Sequence, residues 1–278
     1  MKIQKDLMLS NIISKNNLLI NEILSKIEFK IKPDQNIRKE YIYRIKKRIY
    51  KFLNMEKKFI NSNTVFSNID KDEEDAINKL VSIDTMCKIS IGFIINQICK
   101  NLGGNGVYLN IGVWRGFSMF AGMLNTNCEV YGVDNFSFDY EDGDDSLINK
   151  IEESNARKYF YEHLNHFQNK NKHFFFDIEY KEFFKLWEKE KKAIDFYFYD
   201  GEHSYQNQYD NLLIANNFLK KGSVILVDDY NEVHVEKATL DFVARFDSNF
   251  KILREFKTAN KYIHPTYANG IILIEKIN

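Results

Sequence analysis

The sequence predicts an α/β fold built on a mostly parallel sheet. Three observations carry that prediction. Short apolar runs recur through the C-terminal two-thirds of the chain, helical stretches separate the first five of them, and none separates the last two. Strands that alternate with helices form βαβ units, whose sheet is covered on both faces.

The five alternating runs are "VYLNIGV" (107–113), "EVYGVD" (129–134), "HFFFD" (173–177), "AIDFYFYD" (193–200) and "GSVILVDD" (222–229). Each is short, apolar and bounded by turn residues, as a buried strand is. Helices are expected near 116–125, 146–168, 180–191 and 204–219. The last two runs, "FKILREFK" (250–257) and "NGIILIEKI" (269–277), are expected to pair as an antiparallel terminal hairpin.

The N-terminal part reads differently. In "RKEYIYRIKKRIYKFLNMEKKF", Ile42, Ile45, Ile49 and Phe52 form one apolar stripe of a basic helix. Such a stripe docks on the protein's own core or on a second subunit, so a homo-oligomer held by N-terminal helices is an expectation. Asp70 to Asp75 places acids in the first turn of a following helix, where the macrodipole favours them. "GGNG" (103–106) ends it.

Composition narrows the function classes. Formal net charge is zero, which argues against a nucleic-acid partner. No apolar run approaches the ~18–20 residues of a membrane span. The three cysteines, Cys87, Cys99 and Cys128, are widely spaced and make no disulfide framework. A soluble, cytoplasmic protein is expected.

The strands share one habit: each ends in a polar or glycine-containing cluster. In open α/β sheets ligands bind beyond those carboxyl ends. "NIGVWRGFS" (110–118) turns from strand into helix, with Gly112 and Gly116 allowing close approach of a ligand. It lacks the full dinucleotide fingerprint and any P-loop lysine. Asp134 follows about twenty residues later, where an acid accepts from ribose hydroxyls. Asp177 is suited to an adenine amino group or to a helix N-cap. Asp200 and the pair Asp228–Asp229 close the fourth and fifth strands. If these strands are neighbours, three carboxylates converge and call for a hard cation such as Mg²⁺, Mn²⁺ or Ca²⁺.

Together, "YLNIGVWRG", "VYGVDNF", "IDFYFYDGEHSYQNQYDN" and "GSVILVDDYN" resemble the class I S-adenosylmethionine-dependent methyltransferases. The likeness is greatest to the branch that contains the macrocin O-methyltransferases and cephalosporin-hydroxylase-like proteins. It covers about 100–278. It implies a Rossmann-like seven-stranded, mostly parallel sheet with an antiparallel terminal hairpin, forming a domain at 71–278 after a helical extension at 1–70. The cofactor residues it implies are Asn110, Gly112, Val113, Trp114, Arg115, Gly116, Ser118, Asp134, Asn135 and Asp177. The family usually carries an acid where this chain has Asn110. A divalent cation, taken as Mg²⁺, is implied at Asp200, Asp228 and Asp229.

The activity so implied is O-methyl transfer to a hydroxylated small molecule, most simply a sugar. His203 and Asp200 are the candidate bases, with His264 on "KYIHPTYANG" as a third. Trp114, Tyr205 and Tyr230 are a candidate aromatic wall for the acceptor. The acidic stretch "DNFSFDYEDGDD" (134–145) reads as a solvated rim. Two alternatives stay open: a cofactor-binding module without transfer, and a nucleotide-dependent oxidoreductase on a similar sheet.

Overall fold

The structure, a computed structural model, describes residues 15–36, 63–83, 87–137, 147–167, 172–259 and 264–278, with Ile49 and Thr85 as single positions. For 147–154 only the backbone path is described. The stripe at 42–52, apart from Ile49, and the acidic stretch from 138 onward lie outside these residues.

Every predicted strand of the C-terminal part is present. In chain order the elements are α1 (15–25), β1 (Ile27–Phe29), β2 (Thr64–Phe66), α2 (Lys71–Leu80), α3 (Ile89–Leu102), β3 (Val107–Ile111) and α4 (Phe117–Met123). Then follow β4 (Glu129–Val133), α5 (Leu147–His166), β5 (His173–Phe176), α6 (Tyr180–Glu190), β6 (Ile194–Tyr199) and α7 (Tyr205–Asn216). The chain closes with β7 (Leu219–Val227), α8 (Val233–Arg245), β8 (Phe250–Phe256) and β9 (Ile271–Lys276).

The main sheet has seven strands in the order β5-β4-β3-β6-β7-β9-β8. β3 to β7 run parallel, and β9 inserts antiparallel between β7 and β8. The chain leaves β3 towards β4 and β5, then returns to lay β6 on β3's other side. That reversal makes the β3–β6 boundary the topological switch point.

The aromatic run of β6 is split by the strand's period of two. Phe196 and Phe198 belong to the layer under α3 and α4, beside Tyr108, Met119 and Leu226. Tyr197 and Tyr199 belong to the opposite layer under α6 to α8, beside Leu109, Trp187 and Phe242. All four are essentially without solvent contact. The Tyr197 hydroxyl reaches Asn211, and that of Tyr199 donates to the Glu202 carbonyl at 2.9 Å, so neither buried phenol is left unpaired.

The N-terminal extension contains strands as well as helix. β1 and β2 form an antiparallel ladder, Ile27 opposite Phe66 and Phe29 opposite Thr64. Ile20, Ile23 and Ile27 join the same core layer as Phe196 and Phe198. α2 begins with a capping box: the Asp70 carboxylate accepts from Glu73 N, and Glu73 accepts from Asp70 N. No helix among the described residues is long and apolar enough to cross a membrane.

Phe198 lies at the centre of the sheet, fully buried two residues before Asp200. Phe198→Ala is expected to cost about 3–5 kcal/mol. Urea unfolding checks this; an unchanged midpoint would contradict the assigned packing.

Candidate active site at the carboxyl ends of β3, β6 and β7

The site begins with one close approach. Gly112, just past β3, has φ +81°, and a Cβ placed on it would stand 2.0 Å from the Asp200 carbonyl oxygen. No side chain fits there. Asp200 N donates to Ile111 O at 2.9 Å, so the end of β6 is held directly against the glycine loop. Gly116, at φ +97°, starts α4, and a Cβ there would collide with the Phe120 ring.

Non-glycine residues at this end of the sheet also have left-handed backbone, among them Trp114 (φ 47°), Phe136 (φ 57°) and Asp229 (φ 53°). These three follow β3, β4 and β7 respectively. Such conformations cost about 1–3 kcal/mol each and concentrate where a site constrains the chain.

Asp134 holds the loop in place. One carboxylate oxygen accepts from the amides of Val113 (2.7 Å) and Trp114 (2.6 Å), the other from Phe136 (2.6 Å). Burial raises its pKa, against the pull of these three donors. Sequence reasoning gave Asp134 to a ribose. The structure adds a task that it did not foresee, that of shaping the loop.

Asn110 is fully buried and turned inward on the same loop. Its Nδ2 donates to Gly112 O at 3.0 Å, and its Oδ1 accepts from the Ser118 hydroxyl at 2.7 Å. An amide can make both bonds, donor and acceptor, whereas an ionised carboxylate only accepts. Asn110 is therefore chemically matched to this pair of partners.

Arg115 lies over the Trp114 ring at 4.3 Å and the Tyr159 ring at 4.9 Å. The Trp114 indole N–H is buried without a partner. Asp177 pairs with Arg157 at 2.9 Å, and Arg157 also donates to Asn135 O.

At the ends of β6 and β7, Asp200, His203 and Asp229 each offer a ligand atom, and these atoms lie within 4.8 Å of one another. His203 Nε2 stands 2.9 Å from Asp229 Oδ2. Asp228 stands outside this trio: it is buried, and its Oδ1 accepts from Asp229 N at 2.9 Å. The carboxylate convergence expected from the sequence is thus present in electrostatic terms. Burial, then Asp228 and Asp229, push the Asp200 carboxyl well up. Burial, then Asp229, raise Asp228 to about 8. For His203 burial opposes the imidazolium, but the hydrogen bond to Asp229 and the charges of Asp229, Asp228 and Glu232 together outweigh it and the pKa rises.

A cation fits this donor set. The Asp200 and Asp229 carboxylates are hard oxygen ligands, and the positive charge would answer the repulsion among the acids, with His203 left as the partner of Asp229. The glycine loop, left-handed at Gly112, Trp114 and Gly116, lies beside Asp134 at the β4 end, where a nucleoside cofactor would meet both.

Several candidates are placed elsewhere. Tyr230 packs in the core layer of α8, and Trp114 in the layer on the other sheet face. Tyr205 bonds Asp241 at 2.8 Å on the α7–α8 surface. These three rings form no common wall. Glu202 is exposed and bonds Asn207 in the first turn of α7. His264 is buried in a cluster of its own.

Two residues that no motif marked also belong to the site's surroundings. The Cys87 thiol is pushed up by burial and then by Asp228 and Asp200, and the Lys88 ammonium lowers Asp228. The short stretch around them, "CKIS", carries no glycine, acid pair or periodicity to attract notice.

Residues 109–230, spanning the glycine loop and both carboxylate clusters, match the family model described as a methyltransferase domain. That stretch of the chain resembles a methyltransferase domain. No curated protein matches it in sequence. Solved structures share the fold of this chain at low identity. An O-methyltransferase from Bacillus cereus in complex with SAH is 13% identical at TM-score 0.52, covering 79% of this chain and 96% of that one. An O-methyltransferase from Streptomyces achromogenes involved in tomaymycin synthesis, TomG, in complex with SAM, is 10% identical at TM-score 0.51, covering 76% and 92%. A putative O-methyltransferase from Klebsiella pneumoniae is 11% identical at TM-score 0.51, covering 84% and 97%.

Two measurements bear on this geometry. Asp134→Asn sets an amide N–H₂ against backbone donors and is expected to lower stability by about 1–3 kcal/mol. It is also expected to weaken S-adenosylhomocysteine binding by calorimetry; equal affinity would remove Asp134 from loop organisation. The second is pH dependence. Asp228 and Asp200 both titrate above the ordinary carboxyl value, so the folded state binds more protons than the unfolded. The Asp228 contribution is complete below pH about 4 and is lost as pH rises through about 8, and the raised Asp200 carboxyl adds to it in the same direction. In metal-free protein the melting temperature should fall across that window, and Mg²⁺ should restore it at the alkaline end. A flat profile would contradict the carboxylate cluster.

Proposed function

We propose that the protein is an S-adenosylmethionine-dependent O-methyltransferase that requires a divalent cation, Mg²⁺ or another hard ion, and methylates a hydroxylated small molecule such as a sugar. One observation carries this reading. The glycine loop and the carboxylate–imidazole cluster adjoin at Gly112 and Asp200, so a cofactor on the loop and an acceptor at the cluster would be neighbours. Bringing two reactants together in that way supplies much of the advantage of an enzyme in bimolecular transfer.

Each residue has a task in this reading. Gly112 to Gly116 receive the methionine part of the cofactor. Asp134 keeps that loop open and retains lone-pair capacity for a ribose hydroxyl. Asn135 and Asp177 line the side on which the adenine would lie. Asp200, Asp228 and Asp229 supply negative charge for the cation, with Asp200 and Asp229 as direct ligands and Asp228 as the buried charge behind them. A bound divalent ion lowers the pKa of a hydroxyl that it chelates. His203 is placed to take the proton from the acceptor hydroxyl, and Asp229 holds its imidazole.

Calorimetry with S-adenosylmethionine and S-adenosylhomocysteine tests the cofactor side. Both are expected to bind, and binding of neither would refute the reading. The base has its own test. A neutral imidazole is the active form, and Asp229 raises its pKa. The acid limb of kcat should therefore lie above pH ~6.5 and move down in Asp229→Asn. His203→Ala should lower kcat by roughly 10²–10⁴-fold. A limb unmoved by Asp229→Asn would take His203 out of the base role.

A further inference from the structure

The connection between β8 and β9 holds a buried polar cluster that the proposed chemistry does not use. His264 has no solvent exposure. Its Nε2 lies 3.2 Å from the Gln35 carbonyl and its Nδ1 2.7 Å from the Thr266 hydroxyl. A carbonyl only accepts, so Nε2 carries the proton and Nδ1 accepts from Thr266. Burial lowers the His264 pKa, in keeping with a neutral ring. A second bond, from Ala259 N to Pro33 O at 2.9 Å, ties the same two segments. Nearby, Phe29 meets the Tyr267 ring edge-on at 5.1 Å.

This clasp continues into the site. Thr266 O accepts from Ser90 at the start of α3, two residues after Lys88. On the other side, Asn231 N donates to Asn269 O at 2.7 Å and Tyr230 N to Gly270 O at 3.1 Å. The Asn231 side chain also donates to Thr258 O at 2.8 Å. The Asp228–Asp229 turn is therefore hydrogen-bonded to the same connection that His264 locks to the N-terminal segment. Lys88 links them electrostatically, since its charge is felt by both Asp228 and His264.

We propose that His264 is a positioning residue that fixes residues 33–36 as the acceptor-side rim of the site, so that the N-terminal segment takes part in selecting the acceptor. The proposal rests on the methyltransferase reading above. It gives the extension a role in specificity, and it replaces the expectation that His264 acts as a base. A ring with both nitrogens committed, to Gln35 and to Thr266, has no free lone pair for an acceptor proton.

The test uses the full chain and two probes. 4-Nitrocatechol, whose adjacent hydroxyls chelate a cation and change its absorbance, reports on the acceptor side; S-adenosylhomocysteine reports on the cofactor side. In Mg²⁺-loaded protein, His264→Ala should weaken nitrocatechol binding by about tenfold and leave S-adenosylhomocysteine affinity unchanged. His264→Gln keeps a donor for Gln35 and an acceptor for Thr266, and should restore most of the loss. Hydrogen exchange of the ligand-free protein reads the clasp alone, with amides of 34–36 exchanging faster in His264→Ala. Unchanged nitrocatechol affinity, a parallel loss of both affinities, or unchanged exchange at 34–36 would each overturn the proposal. Wild-type protein that binds no S-adenosylhomocysteine would instead mark failure of the methyltransferase reading, and the exchange result would still judge the clasp.

Discussion

The contact between Gly112 and the Asp200 carbonyl governs the rest of the site. With a Cβ excluded at 2.0 Å, β3 and β6 close against each other at the switch point with no side chain between them. Everything chemical is placed relative to that closure. The loop to α4 leaves on one side, and Asp200, His203 and the β7 carboxylates gather on the other. A bulkier residue would separate the two half-sites before either was itself damaged.

The fold tolerates a concentration of unfavourable terms at this end of the sheet. Buried or half-buried acids face one another, and non-glycine residues, Trp114, Phe136 and Asp229 among them, have left-handed backbone. Neither feature serves packing. Elsewhere the α2 capping box, the two-faced sheet and the paired phenols of Tyr197 and Tyr199 are locally consistent. Repelling acids gathered in one crevice are what a functional site imposes on a chain. Tyr230 and Asn231, which follow Asp229 in the chain, hydrogen-bond to the β8–β9 connection, beyond the residues that match the family model.

Much of this was legible in the sequence because strand and turn signals are local. The runs 107–113, 193–200 and 222–229 each lead into a polar or glycine-containing cluster at the carboxyl end of a strand, so the topology alone brings Gly112, Asp200 and Asp228–Asp229 to one crevice. Other features depend on tertiary placement. β1 and β2 pair across more than thirty residues, Ile27 with Phe66, and neither is long enough to show a period. The fork of Asp134 to three loop amides follows from the path of the backbone, which no spacing encodes. The same holds for the rings once grouped as a wall: Tyr230 and Trp114 lie on opposite faces of the sheet. His264 looked like a base by residue type, and only its two partners show its part in structure.

The central claim is that a divalent cation at the β6–β7 cluster and a cofactor on the β3 loop are immediate neighbours. Paramagnetic broadening measures this directly. With Mn²⁺ and S-adenosylhomocysteine both bound, proton resonances of the ligand nearest the sulfur should broaden strongly, and Asp200→Asn with Asp229→Asn should abolish the effect. Sharp resonances in wild-type protein, with both shown to be bound, would contradict the account.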